Sequence, residues 1–131
     1  MKKKRKFEKT RRGKLKRKNF KNNDLRFGVV GLKSLNSGII TDTQLESARQ
    51  AIARKTNRKG KIWIRINTLV PITSKPVGSR MGKGKGKITH KGYKSSSGSV
   101  IFEICGVKLQ TAIDAFKTGG AKLPVKTSII T

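Results

Sequence analysis

The sequence predicts an α+β domain: a small, mainly antiparallel sandwich with two helices, preceded by a basic N-terminal extension. Three observations predict it. Residues 61–66 alternate cleanly, with Ile62, Ile64 and Ile66 on one face and Lys61, Trp63 and Arg65 on the other, the period of a half-buried strand. Two other segments repeat apolar residues at helical spacing: Leu45, Ala48 and Ile52, then Leu109, Ala112, Ile113 and Phe116. Turn residues between these segments give the order strand, helix, strands, helix, strand, which favours antiparallel pairing with helices set apart from it.

The elements follow in order. Residues 1–23 hold thirteen basic side chains and a single acid, Glu8. Their apolar residues are Met1, Phe7, Leu15 and Phe20, too few to offset the entropy of ordering, so this arm is predicted to be disordered until a polyanion orders it. A removable transit peptide fits poorly, because the segment has Lys blocks and no Ser. Residues 24–131 form the domain. Residues 26–35 read as a short strand with bends at Gly28 and Gly31, and Asn36-Ser37-Gly38 as a turn. Thr41 is a helix N-cap with Gln44 at the capping-box spacing. Asp42 and Glu46 suit the positive end of that helix, and Arg54, Lys55, Arg58 and Lys59 the negative end, with Gly60 expected to close it at the C′ position. After the strand at 61–66, Pro71, Pro76 and Gly78 bracket an irregular or edge-strand stretch, and a glycine/lysine loop spans 78–87. A polar turn surrounds Gly98. Val100, Phe102 and Ile104 then share one face of a strand. A second helix is expected to begin near Val107, to bury Leu109, Ala112, Ile113 and Phe116, and to weaken or end at Gly119 and Gly120. Pro124 stops any continuation, and residues 125–131 read as a last strand.

Charge bounds the function. Lys and Arg number 33 against 6 Asp and Glu, a net charge of +27. Self-repulsion on that scale opposes compaction unless a polyanion neutralises it, and basic residues with interspersed aromatics are the footprint of a nucleic-acid binder. The hydrophobic fraction of 34% allows only a small core. No stretch approaches the ~20 apolar residues that span a bilayer. Cys105 stands alone, so it forms no internal disulfide, and with His90 as the one histidine it builds no zinc site. Cys105 is expected to pack as a small buried hydrophobe, and His90 to be exposed or in contact with RNA. No close carboxylate pair suggests catalysis. The run at 80–87 is not a P-loop, because the glycine spacing is wrong and no helix follows it.

The candidate phosphate contacts are Lys2, Lys3, Lys4, Arg5, Lys6, Lys9, Arg11, Arg12, Lys14, Lys16, Arg17 and Lys18 in the arm, with Arg54, Arg58, Lys61 and Arg65 in the domain. The loop Arg80, Met81, Gly82, Lys83, Gly84, Lys85, Gly86 lacks apolar residues other than Met81, and its alternating glycines let the backbone approach another surface while each lysine projects to a phosphate. Trp63 either stacks on a base or lies against a second layer, the latter being the commoner fate of a lone Trp.

Two of these segments resemble signatures of the universal large-subunit ribosomal protein sixteen family: Gly60 to Ile66, and Arg80 to Gly86 with Lys91 behind it. The resemblance extends to Phe7-Glu8-Lys9 through Gly13-Lys14, Phe27-Gly28, Gly31-Leu32-Lys33, the helix start at Ile40-Thr41, Pro71-Ile72-Thr73, Lys75-Pro76, Gly106-Val107 and Ala121 to Pro124. Departures fall at Asn67, Thr68 and Lys87, at the polar residues 90–97 where an aromatic strand is usual, and at Gly119-Gly120; they bear on strand pairing and the length of the second helix. The resemblance implies a sandwich with a hammerhead-like β motif and a structural, non-enzymatic protein without cofactor, small-molecule substrate or membrane. It implies partners: large-subunit rRNA, neighbouring ribosomal proteins and A-site tRNA, with P-site tRNA a further candidate. The loop would face the peptidyl-transferase region, and incorporation would come late in subunit assembly. Two other classes stay open: a sequence-independent nucleic-acid packaging or chaperone protein, and a nuclease, which would need clustered carboxylates for metal. The family's arm begins almost at Met1, and the composition favours Lys over Arg (23 to 10) and Ile over Ala (13 to 6), the bias of an AT-rich gene. The expected location is therefore a mitochondrial ribosome in the matrix, with a plastid or a bacterial cytoplasm as alternatives.

Overall fold

Six residues, Val100–Cys105, organise the domain. In the computed structural model, which describes residues 9–11, 13, 15, 18 and 24–131, every residue of this strand but the last is buried. Among the described residues, seven strands and two helices surround and include it: β1 Val30–Ser34, β2 Gly38–Thr41, α1 Asp42–Lys55, β3 Lys61–Ile64, β4 Val70–Ser74, β5 Lys87–Ser95, β6 Val100–Cys105, α2 Leu109–Gly120 and β7 Thr127–Ile130. The strands form two sheets, β3-β6-β1-β7 and β2-β5-β4, and every pairing is antiparallel. The α+β fold class is the one the sequence predicts.

The larger sheet has two distinct faces. Val30, Leu32, Phe102 and Ile104 share one face by register and belong to the buried core with Ala112, Ala115 and Phe116 of α2. Trp63, Glu103 and Gly31 are register partners on the other face. The helices join the sheets, since α2 lies against β1 and β7, α1 against β2 and β5, and the two helices against each other.

Helix α1 starts as its sequence dictates. The Gln44 amide donates to Thr41 Oγ1 at 3.3 Å and the Gln44 side chain accepts from the Thr41 amide at 3.0 Å, a complete capping box. Its end corrects the expectation for Gly60. Asn57 takes the left-handed position (φ 51), its amide donating to Arg54 O at 3.1 Å, while the Arg58 amide donates to Ala53 O at 2.8 Å. That is the Schellman arrangement with asparagine in glycine's place. Arg58 and Lys59 therefore lie beyond the helix.

Other elements shift from expectation. β1 starts only at Val30, because the amides of residues 26–28 are taken by Glu103 and not by a strand. β2 begins at Gly38, the last residue of the expected turn, and β5, the longest of these strands, occupies the polar stretch 87–95. β3 ends at Ile64, although Ile66 is still buried, and Pro71 sits in β4, an edge strand where its missing N–H is tolerated. α2 begins at Leu109, which is exposed, and buries Ala112, Ala115, Phe116, Gly119 and Gly120. The buried stripe is rotated from the predicted one, and the two glycines lie inside the helix at its contact with α1 and β7. β7 is confined to Thr127–Ile130.

Candidate nucleic-acid interface

Basic side chains concentrate where acids are missing. Between Glu46 and Glu103 the sequence holds no Asp or Glu, and that stretch supplies the end of α1, β3, β4, β5 and the long β4–β5 connection. Of the acids among the described residues, Asp42 and Glu46 lie on α1, Asp114 on α2, Asp24 ahead of β1, and Glu103 buried in β6. The smaller sheet and its loop thus carry cations with no acid of their own.

The β4–β5 connection is the most exposed part of this surface. Residues 75–85 are all exposed, and Met81 is wholly so. Gly82, Lys83 and Gly84 are successive left-handed residues (φ 93, 51 and 81). Glycine takes that conformation without the Cβ penalty that an L-residue meets. Among the described residues, no atom beyond the adjoining ones in the chain lies within 4 Å of where a Cβ would stand at Gly82 or Gly84, so the backbone is thin and open between its cations. The Lys75 ammonium donates to the Gly82 carbonyl and closes the base of the loop.

The described arm residues lie against this loop and the smaller sheet. Lys9 Nζ donates to Lys85 O at 3.3 Å, Lys85 Nζ donates to Thr10 O at 3.0 Å, and Lys94 Nζ donates to Arg11 O at 2.9 Å. Lys18 forms an isolated parallel bridge with Ser97. Lys9 and Arg11 are thereby brought beside the loop residue Lys85, whereas Lys18 lies apart from the loop, at the β5–β6 connection. Lys2, Lys3, Lys4, Arg5, Lys6, Arg12, Lys14, Lys16 and Arg17, and the Phe7-Glu8 segment, lie outside the described residues.

A second basic groove runs past the end of α1. Arg54, Arg58 and Lys61 line it, all exposed. Arg49 lines it too, but its guanidinium is held by Glu46 at 2.6 and 2.9 Å.

Arg65 is placed differently from the other candidates. Its side chain is 6% exposed and ion-paired with Glu103, whose side chain has no exposed surface. Glu103 also accepts from the amides of Phe27 at 2.7 Å, Gly28 at 2.8 Å and Arg26 at 3.3 Å. Burial alone would raise the Glu103 pKa; the amides of Phe27 and Gly28, the Arg65 guanidinium and the Arg26 amide together hold it below the ordinary carboxylate value. Gly28 is required at this junction, because a Cβ there would stand 2.8 Å from the backbone N and O of Ile104. Trp63 follows the packing alternative. It stacks on Phe27 with ring centroids 6.1 Å apart, Lys61 Nζ lies 5.3 Å from its centroid, and Arg65 Cζ lies 5.5 Å from that of Phe27.

His90 is half-buried, with Nδ1 2.9 Å from Thr89 Oγ1. Cys105 is only half-buried at the end of β6, in place of the full burial expected. The cations that sequence reasoning passed over are Lys75 and Lys94; the acid-free run that contains them is the signal that would have found them.

A family model described as ribosomal protein L16p/L10e matches residues 2–130. The chain is 44% identical over 125 residues to the large ribosomal subunit protein uL16 of Borrelia recurrentis (strain A1), an alignment that covers 95% of this chain and 91% of that protein. It is also 44% identical over 128 residues to the protein of the same description from Borrelia hermsii (strain HS1 / DAH), covering 98% and 93%.

Proposed function

The chain belongs to the ribosomal protein L16p/L10e family, and from that premise we propose how its cationic surface serves the large ribosomal subunit. It is a structural constituent of that subunit, with rRNA and other ribosomal proteins as its partners, and it is not an enzyme. Lys and Arg neutralise phosphates and release counterions, while folded RNA is recognised mainly by shape, backbone and 2′-OH. The α+β domain sets position on the rRNA. The arm, Arg54, Arg58, Lys61 and the loop lysines supply phosphate contacts, whereas Arg65 serves the fold through Glu103. The Arg80–Gly86 loop faces the A-site tRNA and the peptidyl-transferase region, and P-site tRNA lies within the same neighbourhood. The observation that carries this reading is the exposed run of left-handed glycines and lysine at 82–84 on a surface with no acid among the described residues.

The relatives described above are bacterial, and they support the bacterial cytoplasm over the mitochondrial matrix that codon-type bias suggested. The packaging alternative is not favoured, since charge alone would not require this domain and loop together.

The test is sedimentation of the tagged full chain through sucrose gradients of bacterial lysate at low and moderate salt. Migration with the large subunit in both is the expected result; migration at the top of the gradient or with DNA overturns the reading. For the loop, Arg80→Ala ribosomes with full occupancy should form peptide bonds or accommodate A-site tRNA more slowly, and a normal rate removes Arg80 from that role. The isolated variant should unfold within about 0.5 kcal/mol of the parent, because an exposed loop cation contributes little to stability.

A further inference from the structure

The outer face of the smaller sheet holds a cleft of about 250 Å³ that is neither part of the core nor explained by the loop. Its floor is apolar. Ile39 on β2 and Ile72 on β4 reach towards each other across Gly92 of β5, where a Cβ would stand 2.6 Å from Ile72 Cδ1 and 3.3 Å from Ile39 Cγ2. Val70 extends the same floor. The rim is cationic: Lys94 is the register partner of Ile39, Lys85 enters from the loop, and Arg11 from the arm. Lys85 and Lys94 each donate to one arm carbonyl by the bonds given above, and an ammonium has three donors, so each keeps capacity for an anion.

An apolar floor beneath a cationic rim matches a ligand that is planar and weakly polar at one end and anionic at the other. The volume lies below the ~300–1,000 Å³ typical of pockets for whole small ligands and suits a single ring system. We propose that this cleft takes one unpaired RNA nucleotide, its base on the Ile39–Ile72 floor and its phosphate on Lys85 and Lys94. Unpaired, splayed nucleotides are the part of an RNA that a protein can read base by base, unlike the helical parts. The proposal rests on the rRNA-binding reading and adds to it a contact that depends on the base and not on charge alone.

The experiment uses the full chain with labelled isoleucine δ-methyls, titrated with a short uridine oligoribonucleotide and, separately, with inorganic polyphosphate of matched charge. RNA should move the Ile39 and Ile72 methyl resonances and polyphosphate should not. Ile72→Thr, which keeps a strand-forming residue, should raise the oligonucleotide Kd about fivefold through lost apolar contact and leave the polyphosphate Kd unchanged. Lys94→Gln should weaken both ligands. Identical methyl spectra with the two polyanions, or an acidic peptide moving those methyls where RNA does not, overturns the proposal while binding of RNA itself leaves the rRNA reading standing. Failure of both polyanions to bind overturns the rRNA reading as well.

Discussion

A carboxylate without exposed surface is costly unless its charge is met where it lies. Glu103 is met by Arg65 and by the amides of residues 26–28, so one side chain fastens the leader of β1 across the sheet. Glu103→Gln removes the charge and leaves Arg65 buried without it. The expected loss is about 3–5 kcal/mol, read from denaturant midpoints at neutral pH. The pH dependence has a definite sign. The folded-state pKa of Glu103 is depressed, so its contribution is complete above the unfolded value of about 4.3 and fades as pH falls through the folded value. The gap between parent and Glu103→Gln should therefore be constant near neutrality and narrow below about pH 4; a gap that holds to low pH would mean that the carboxylate charge is not what stabilises. This site was illegible in the sequence. Arg65 sits on the polar side of a well-alternating strand like any surface cation, and its partner lies 38 residues away on another strand. The loop, in contrast, was legible, because its chemistry is local: glycines alternate with cations, and nothing in the run calls for burial.

The contact between α1 and α2 is set by the absence of side chains. A Cβ on Gly119 would stand 2.5 Å from Ile52 Cγ1, and Ile52 is fully buried, so it cannot swing aside. Two effects oppose each other in Gly119→Ala. Alanine favours the helix by about 1 kcal/mol, whereas overpacking a filled core costs about 1–3 kcal/mol. Overpacking should win, giving a net loss of about 1 kcal/mol and a lower Tm, while a gain in Tm would show that the helices can separate freely. Local propensity alone reads the same glycine as a weak point, which is why the second helix was expected to fail where it packs most closely. The capping box of α1 was readable because Thr41 and Gln44 are three residues apart and answer each other directly. β5 was not readable. Its residues include Gly92 and several lysines, and its strand geometry comes from pairing with β2 on one side and β4 on the other, a tertiary effect that outweighs propensity.

At the scale of the whole chain, the 33 cations and 6 acids are unevenly mixed. Among the described residues, the helices carry Asp42, Glu46 and Asp114, Glu103 is buried, and the face formed by the smaller sheet and its loop has none. Salt should consequently act in opposite directions on the free and bound chain. Added salt screens charges beyond a Debye length of about 10 Å at 0.1 M, so it relieves self-repulsion and should raise the Tm of the free protein. The same salt restores the counterions that RNA binding releases, so it should weaken binding linearly on a log–log plot, with a slope of about −7 if some ten phosphates are engaged. Replacing Lys83 and Lys85 with Gln tests whether the loop belongs to that contact. Each lost phosphate contact should reduce the slope by about 0.7, so the double variant should be shallower by about 1.4. The Tm of the variant should change little, since neither lysine contributes to the core and removing like charge offsets the lost carbonyl contact of Lys85. A slope unchanged by the double substitution, alongside ordinary binding, would place the loop away from phosphate and leave the arm and the end of α1 as the cationic contact with rRNA.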